Sequence, residues 1–262
     1  MVSKDSPLRR VVFFSLLAFV ITWAVWVPRA IDSDGLFGEL GAFWTYGPAL
    51  AAVATAAMTA GRNGLRELGS RLTTWRVGWV WYVVAIVGPL AIASVIGLVN
   101  MAFGGTFAEA IADVVDDGIG AVALTLVALS LTDGLGEETG WRGYALPRLL
   151  EVTGAVGASI VLGLIWAAWH LPLFWTDGAS LFETSILVLF LRLPATAIMF
   201  TWLFQRTKGS LLLAIVFHAA LNLFASAPTV DSLQVLWIGV VVHWAVALAL
   251  IPQVRYQPVD PS

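Results

Sequence analysis

The feature that most constrains this chain is a succession of apolar runs, each close to the length that crosses a bilayer. They lie at Val11–Val27 and near 40–60, 79–102, 119–136, 154–175, 184–204, 210–226 and 232–252. A spanning helix needs about 20 apolar residues. Eight spans of about 21 would use about 168 of the 262 residues and leave about 94 for ends and connections. Composition agrees. The AVILMFWYC set makes up 59%, and with the 24 Gly about two thirds of the chain is apolar or glycine. A soluble domain has roughly 45–50% on that count. One soluble core cannot absorb such an excess, because folding still leaves a shell that must be wetted. A soluble enzyme, a disordered chain and a nucleic-acid binder are excluded. The lipid bilayer is the expected environment, with the cell (plasma) membrane as its place.

The sequence predicts an all-α, polytopic membrane protein of about eight transmembrane helices in one domain, 1–262. The 17 residues of Val11–Val27 exceed the 7–15 of a signal-peptide core, and no Ala-x-Ala site follows, so the run reads as a retained span. With both termini cytoplasmic, the inside segments hold Lys4, Arg9, Arg10, Arg62, Arg66, Arg71, Arg76, Arg142, Arg148, Arg206, Lys208 and Arg255, which is 12 of the 14 Lys and Arg. Cations collect in cytoplasmic loops, so this alternation supports both the count and the orientation. The segment 61–78 reads as an interfacial amphipathic helix, with Leu65, Leu68, Leu72 and Trp75 toward lipid and its arginines toward headgroups. The stretch 106–117 is its expected outside counterpart, and the tail 258–262 is expected to be disordered. Zero Cys excludes disulfides and a thiol nucleophile. The net charge of −3 is too small to argue a partner.

Against this background, strongly polar residues within spans are functional candidates, because each costs a few kcal/mol at bilayer depth. They form three clusters. In the first, 131–144, helical spacing places Asp133 and Glu137 on one stripe and Glu138 and Arg142 on the next. Glu138 can pair with Arg142 inside its own helix, whereas Glu137 has no such local partner. The two carboxylates can therefore differ in role. Alternatively the pair is a charged helix end at the cytoplasmic surface, with Asp133 a polar plug or cap. In the second cluster, Trp166 and His170 lie four apart just before Pro172. Alone, they read as an interfacial tryptophan belt with a snorkelling histidine. In the third, His218 and Asn222 lie four apart in the middle of an apolar run. Arg192, beside Pro194, is deep enough to need a carboxylate partner and is either structural or holds a substrate terminus. His243 reads as packing or interfacial.

Two carboxylates, two histidines and an asparagine suit hydrolysis of a peptide bond. A Glu takes a proton from water, a His orients that water or shares a metal, and a His with an Asn donates to an oxyanion. The soluble zinc-protease motif His-Glu-x-x-His and the Gly-x-Ser-x-Gly nucleophile elbow are absent.

The order Glu137-Glu138-x-x-x-Arg142, then Trp166-x-x-x-His170, then His218-x-x-x-Asn222 resembles the CPBP family. These are the CAAX-prenyl-protease-like and bacteriocin-processing intramembrane proteases, also called Abi proteins. The resemblance is specific over roughly 130–225, within a motif-bearing core at about 119–226, and the first three spans share only general character. Trp166 departs from the commoner Phe but keeps an aromatic wall. The resemblance implies an intramembrane endopeptidase acting on a membrane-associated protein or peptide. Glu137 would activate water, His170 would hold it, His218 and Asn222 would stabilise the oxyanion, and Glu138 with Arg142 would brace the helix. It also leaves two roles for the histidines. Either Glu137, His170 and His218 hold a divalent metal (Zn) with one open position, or they hold a water with no metal. A non-catalytic immunity or binding protein is the alternative, and a small transporter ranks third.

Straight helices leave Glu137 and His170 at different depths. The sequence therefore predicts that Trp141–Tyr144 is embedded, with a cavity open to the cytoplasm.

Overall fold

The computed structural model describes residues 6–35, 37, 45–105, 118–182, 184–225 and 233–254. The expected stretch 106–117 and the tail 258–262 lie outside them. The described residues are helical throughout their ordered elements, as an all-α membrane protein requires. The helices are α1 (Pro7–Ile31), α2 (Gly47–Leu72), α3 (Val80–Ala102), α4 (Gly118–Leu129), α5 (Leu135–Gly140), α6 (Leu146–Trp169), α7 (Ile186–Arg206), α8 (Leu211–Ala225) and α9 (Leu233–Leu250). Two π-helical turns, Ser130–Gly134 and Trp141–Ala145, flank α5. Among the described residues, five stretches can cross a membrane by length and composition: α1, α3, Gly118–Trp175, α7 and Leu233–Gln253. Their outward surfaces are apolar, as at Leu16, Val20, Val87, Leu98 and Leu124.

The stretch Gly118–Trp175 covers 58 residues. Straight, it would measure about 87 Å, against a hydrocarbon core of about 30 Å. It reverses at Gly154, whose φ of 68° and ψ of 178° break the helix. A side chain is strained at that φ, and glycine is not. The reversal brings Trp166 into hydrogen-bond contact with Glu137.

Cross-helix contacts fix the directions. Asp133 meets Asn222 while Glu138 meets His218, so the 118–145 arm and α8 are antiparallel. Ser159 bonds Thr201, setting α6 against α7. Gln253, after α9, bonds Trp202 and Arg206 near the end of α7, so these two helices run in parallel. The described helix ends therefore define two faces. One carries the start of α1, the 206–211 turn and the end of α9. The other carries the end of α1 and the 170–185 connection.

Glycines let the first arm pack backbone to backbone. A Cβ at Gly136 would fall 2.6 Å from the Thr45 carbonyl oxygen, and one at Gly140 would fall 2.6 Å from that of Pro48. Trp141, Arg142 and Tyr144 are buried as expected of embedded residues, with Phe14 of α1 5.5 Å from Trp141 and 5.2 Å from Tyr144 by ring centroids. The amphipathic segment separates from the rest of α2 at Gly61 (φ 57°). One detail of it is corrected. Leu68 is buried in the core rather than facing lipid, because Gly143 opens space for it, and Arg71 is buried with an ion pair to Glu67.

Candidate active site

The first arm delivers two adjacent acids into different surroundings. Glu138 is fully buried, and its Oε1 accepts from Arg142 Nη1 at 2.8 Å and His218 Nδ1 at 2.7 Å. The Arg142 guanidinium lies 4.4 Å from the Trp166 ring centre and 3.7 Å from that of Phe200. Ion pair and ring contacts together hold it in a place where a lone charge would be costly. Glu137 faces the other way. Its Oε2 accepts from Trp166 Nε1 at 2.6 Å, and its Oε1 lies 3.8 Å from His218 Nε2. Of the two acids, Glu137 lines the large cavity and Glu138 does not.

That cavity is about 550 Å³, and it is lined by Asp133, Glu137, Trp166, His170, His218 and Asn222 along with apolar side chains. Its size falls within the range of small-ligand sites. All three sequence clusters therefore meet in one place. Trp166 is the hinge of the arrangement. Its ring centre is 5.9 Å from that of His170 and 5.7 Å from that of His218. His170 Nδ1 pairs with the Trp166 carbonyl at 2.8 Å. A carbonyl only accepts, so Nδ1 carries the hydrogen, and Nε2 of the neutral ring is left as an acceptor. The tryptophan-belt reading of this cluster is thereby set aside.

Two residues take parts that the sequence did not reveal. Trp166 is a donor to Glu137 as well as an aromatic wall, and the rule that a buried indole N–H seeks an acceptor could have found it. Asp133, read as a plug or cap, accepts from Asn222 Nδ2 at 3.0 Å and orients that amide. The π turns on either side of α5 shift the simple helical stripes that regular α-helical spacing predicts. Such turns occur frequently at functional sites. His243 is buried and also lines the cavity, with its Nδ1 2.7 Å from the Gly239 carbonyl.

The donor types of Glu137, His170 and His218 suit zinc. Among the described residues, however, no group of three His, Asp or Glu side chains is placed to hold a metal ion. As arranged, Glu137 Oε2 is engaged by Trp166, and each histidine points its Nδ1 at a protein acceptor.

The position of the cavity sets two expectations against each other. Its lining comes from the late part of α1, the end of α6, the early part of α7, the late part of α8 and the early part of α9, and it reaches exposed Gly178 and Ser180. These parts all adjoin the face that carries the 170–185 connection. The cavity therefore opens on the face opposite the start of α1, so a cytoplasmic N-terminus and a cavity open to the cytoplasm exclude one another. The helix directions impose this, because His170 ends a helix that runs away from the face carrying the start of α1.

Comparison with known proteins fits this geometry. Residues 119–224 match the sequence model of the Rce1-like family, described as type II CAAX prenyl endopeptidase Rce1-like. A curated relative from Methanococcus maripaludis, "CAAX prenyl protease 2", is 38% identical over 93 residues, covering 33% of this chain and 34% of the relative. The chain thus spans about a third of the length of that relative. On these matches, the segment that builds the cavity wall from α4 to α8 is similar to the CAAX prenyl proteases.

Proposed function

We propose that the protein is an intramembrane endopeptidase that hydrolyses a peptide bond in a membrane-associated protein or peptide of the prenylated CAAX class. One observation carries the reading: of two adjacent buried acids, Glu137 lines the cavity shared by His170, His218 and Asn222, while Glu138 is held by Arg142 and His218. Water bound in the cavity donates one hydrogen to Glu137 and the other to Nε2 of His170. Glu137 removes a proton as the water oxygen attacks the scissile carbonyl carbon. The oxyanion receives donation from Nε2–H of His218 as an imidazolium, whose Nδ1–H Glu138 accepts, and from the second amide hydrogen of Asn222, whose first is accepted by Asp133. Glu137 then returns the proton to the amide nitrogen as the C–N bond breaks. These steps are written without a metal; Glu137, His170 and His218 would be the residues to hold one.

The test uses purified protein in phospholipid nanodiscs with a prenylated CAAX peptide, and chromatography of the released fragment. Glu137→Gln is expected to lower kcat by at least about 10²–10⁴-fold, the usual worth of a general base, with the protein still inserted and monodisperse. A chelator is expected to leave the wild-type rate unchanged. Full cleavage by Glu137→Gln would overturn the hydrolytic role and favour an immunity or binding protein. Loss of activity on chelation, restored by zinc, would return the histidines to a metal.

A further inference from the structure

Arg192 is the cation for which the sequence required a carboxylate, and the described residues do not supply one. Among the described residues no Asp or Glu lies within ion-pair distance of it. Its guanidinium makes no hydrogen bond there, although its backbone carbonyl accepts from Thr196. It lines the same cavity as Glu137. The acids that line that cavity are committed elsewhere, Asp133 to Asn222 and Glu137 to Trp166. Arg192 also lies within electrostatic reach of His170 and of His243. A guanidinium kept in an apolar bundle without a counterion is costly, and an anionic ligand would relieve that cost.

Depth supports the same conclusion. Arg192 is six residues into α7, and His218 is seven residues from the end of α8, so each lies about 10 Å from the same face. An anion on Arg192 is therefore level with the groups proposed to act on the peptide bond. Arg29, which also lines the cavity, sits in the last turn of α1 closer to that face.

We propose that Arg192 is a specificity-determining residue that binds the free C-terminal carboxylate of the substrate peptide inside the cavity. The inference rests on the hydrolytic reading for its substrate, but not for its measurement. A guanidinium presents paired donors that match a carboxylate in bidentate fashion. A carboxylate anchored there limits cleavage to bonds a short way upstream of a chain end, in a cavity too small for a folded segment. A lipid phosphate would present a similar anion, but a cation within electrostatic reach of His170, in the cavity that Glu137 also lines, favours a ligand that reaches into that cavity.

The test measures binding without turnover. Full-length Glu137→Gln protein in phosphatidylcholine nanodiscs is titrated with two dye-labelled prenylated CAAX peptides, identical except for a C-terminal carboxylate or carboxamide. Fluorescence anisotropy is expected to show the acid binding about 10–100-fold more tightly, the worth of a hydrogen-bonded charge contact. Adding Arg192→Gln should bring the acid to the amide value and leave the amide value unchanged. Arg192→Lys should retain part of the preference, and it keeps the test open if the glutamine variant does not fold. Equal affinities before substitution would overturn the proposal. So would an equal loss for both peptides on substitution, which is what a purely structural arginine gives. Disappearance of the acid preference in phosphatidylglycerol nanodiscs would assign the site to a lipid phosphate, and also overturn it. The two readings fail separately. An acid preference without wild-type cleavage of either peptide removes the hydrolytic reading alone, whereas cleavage of both peptides with the same KM removes the carboxylate site alone.

Discussion

At the wall of the cavity, adjacent side chains of the same chemical type have been given opposite surroundings. Glu138 carries a buried ion pair and a histidine, and Glu137 carries an indole and open space. The indole hydrogen bond is a feature that phenylalanine at the same position would lack. Trp166→Phe keeps the ring that packs on Phe200, His170 and His218, so it isolates the N–H. Loss of a hydrogen bond to a charged group is worth about 1.5–3 kcal/mol. If that bond holds Glu137 in its reactive orientation, kcat should fall about 10–100-fold with KM little changed, as steady-state cleavage of a prenylated CAAX peptide would report. Much of this site was legible from spacing alone. Glu138 with Arg142, Trp166 with His170 and His218 with Asn222 are each one helical turn apart, and strong polarity in an apolar run made them stand out. Asp133 with Asn222 and Trp166 with Glu137 were not legible, because each pair joins helices far apart in sequence.

Among the elements, the arm from Gly118 to Ala145 departs most from a simple span. Its π turns and glycines trade regular helix for close approach to α2 and α8. This gives a contrast between two glycines. A Cβ at Gly140 would sit 2.5 Å from the Pro48 Cβ, whereas one at Gly88 in α3 meets nothing within 4 Å. Gly140→Ala is therefore expected to cost about 1–3 kcal/mol through overpacking, seen as a lowered Tm in detergent. Gly88→Ala should leave the Tm unchanged or raise it. The sequence marked these helices by their apolar runs, and it marked the reversal only as a mismatch in depth between Glu137 and His170. The physical resolution is the break at Gly154, where a single backbone conformation turns one 58-residue apolar stretch back on itself. Periodicity cannot register one dihedral angle.

For the whole molecule, the two faces make a prediction independent of how the protein is inserted. Ser180 lies at the cavity, and Arg62 begins the amphipathic part of α2 near the opposite face. The chain has no Cys, so single cysteines can be introduced without background. Ser180→Cys and Arg62→Cys should react with a membrane-impermeant maleimide from opposite sides of intact and inverted vesicles. Reaction of both from one side would refute the helix directions derived above. The charge pattern further predicts that position 62 is the cytoplasmic one.

The placement of the cavity also bears on how the protein can be handled. Pro7 at the beginning of α1 and Gln253 just after α9 both adjoin the face away from it. A fluorescent reporter or affinity handle inserted next to Pro7 or Gln253 would project from the far side of the bilayer. It would leave the mouth clear, so protein can be immobilised through that face while peptide is supplied to the other.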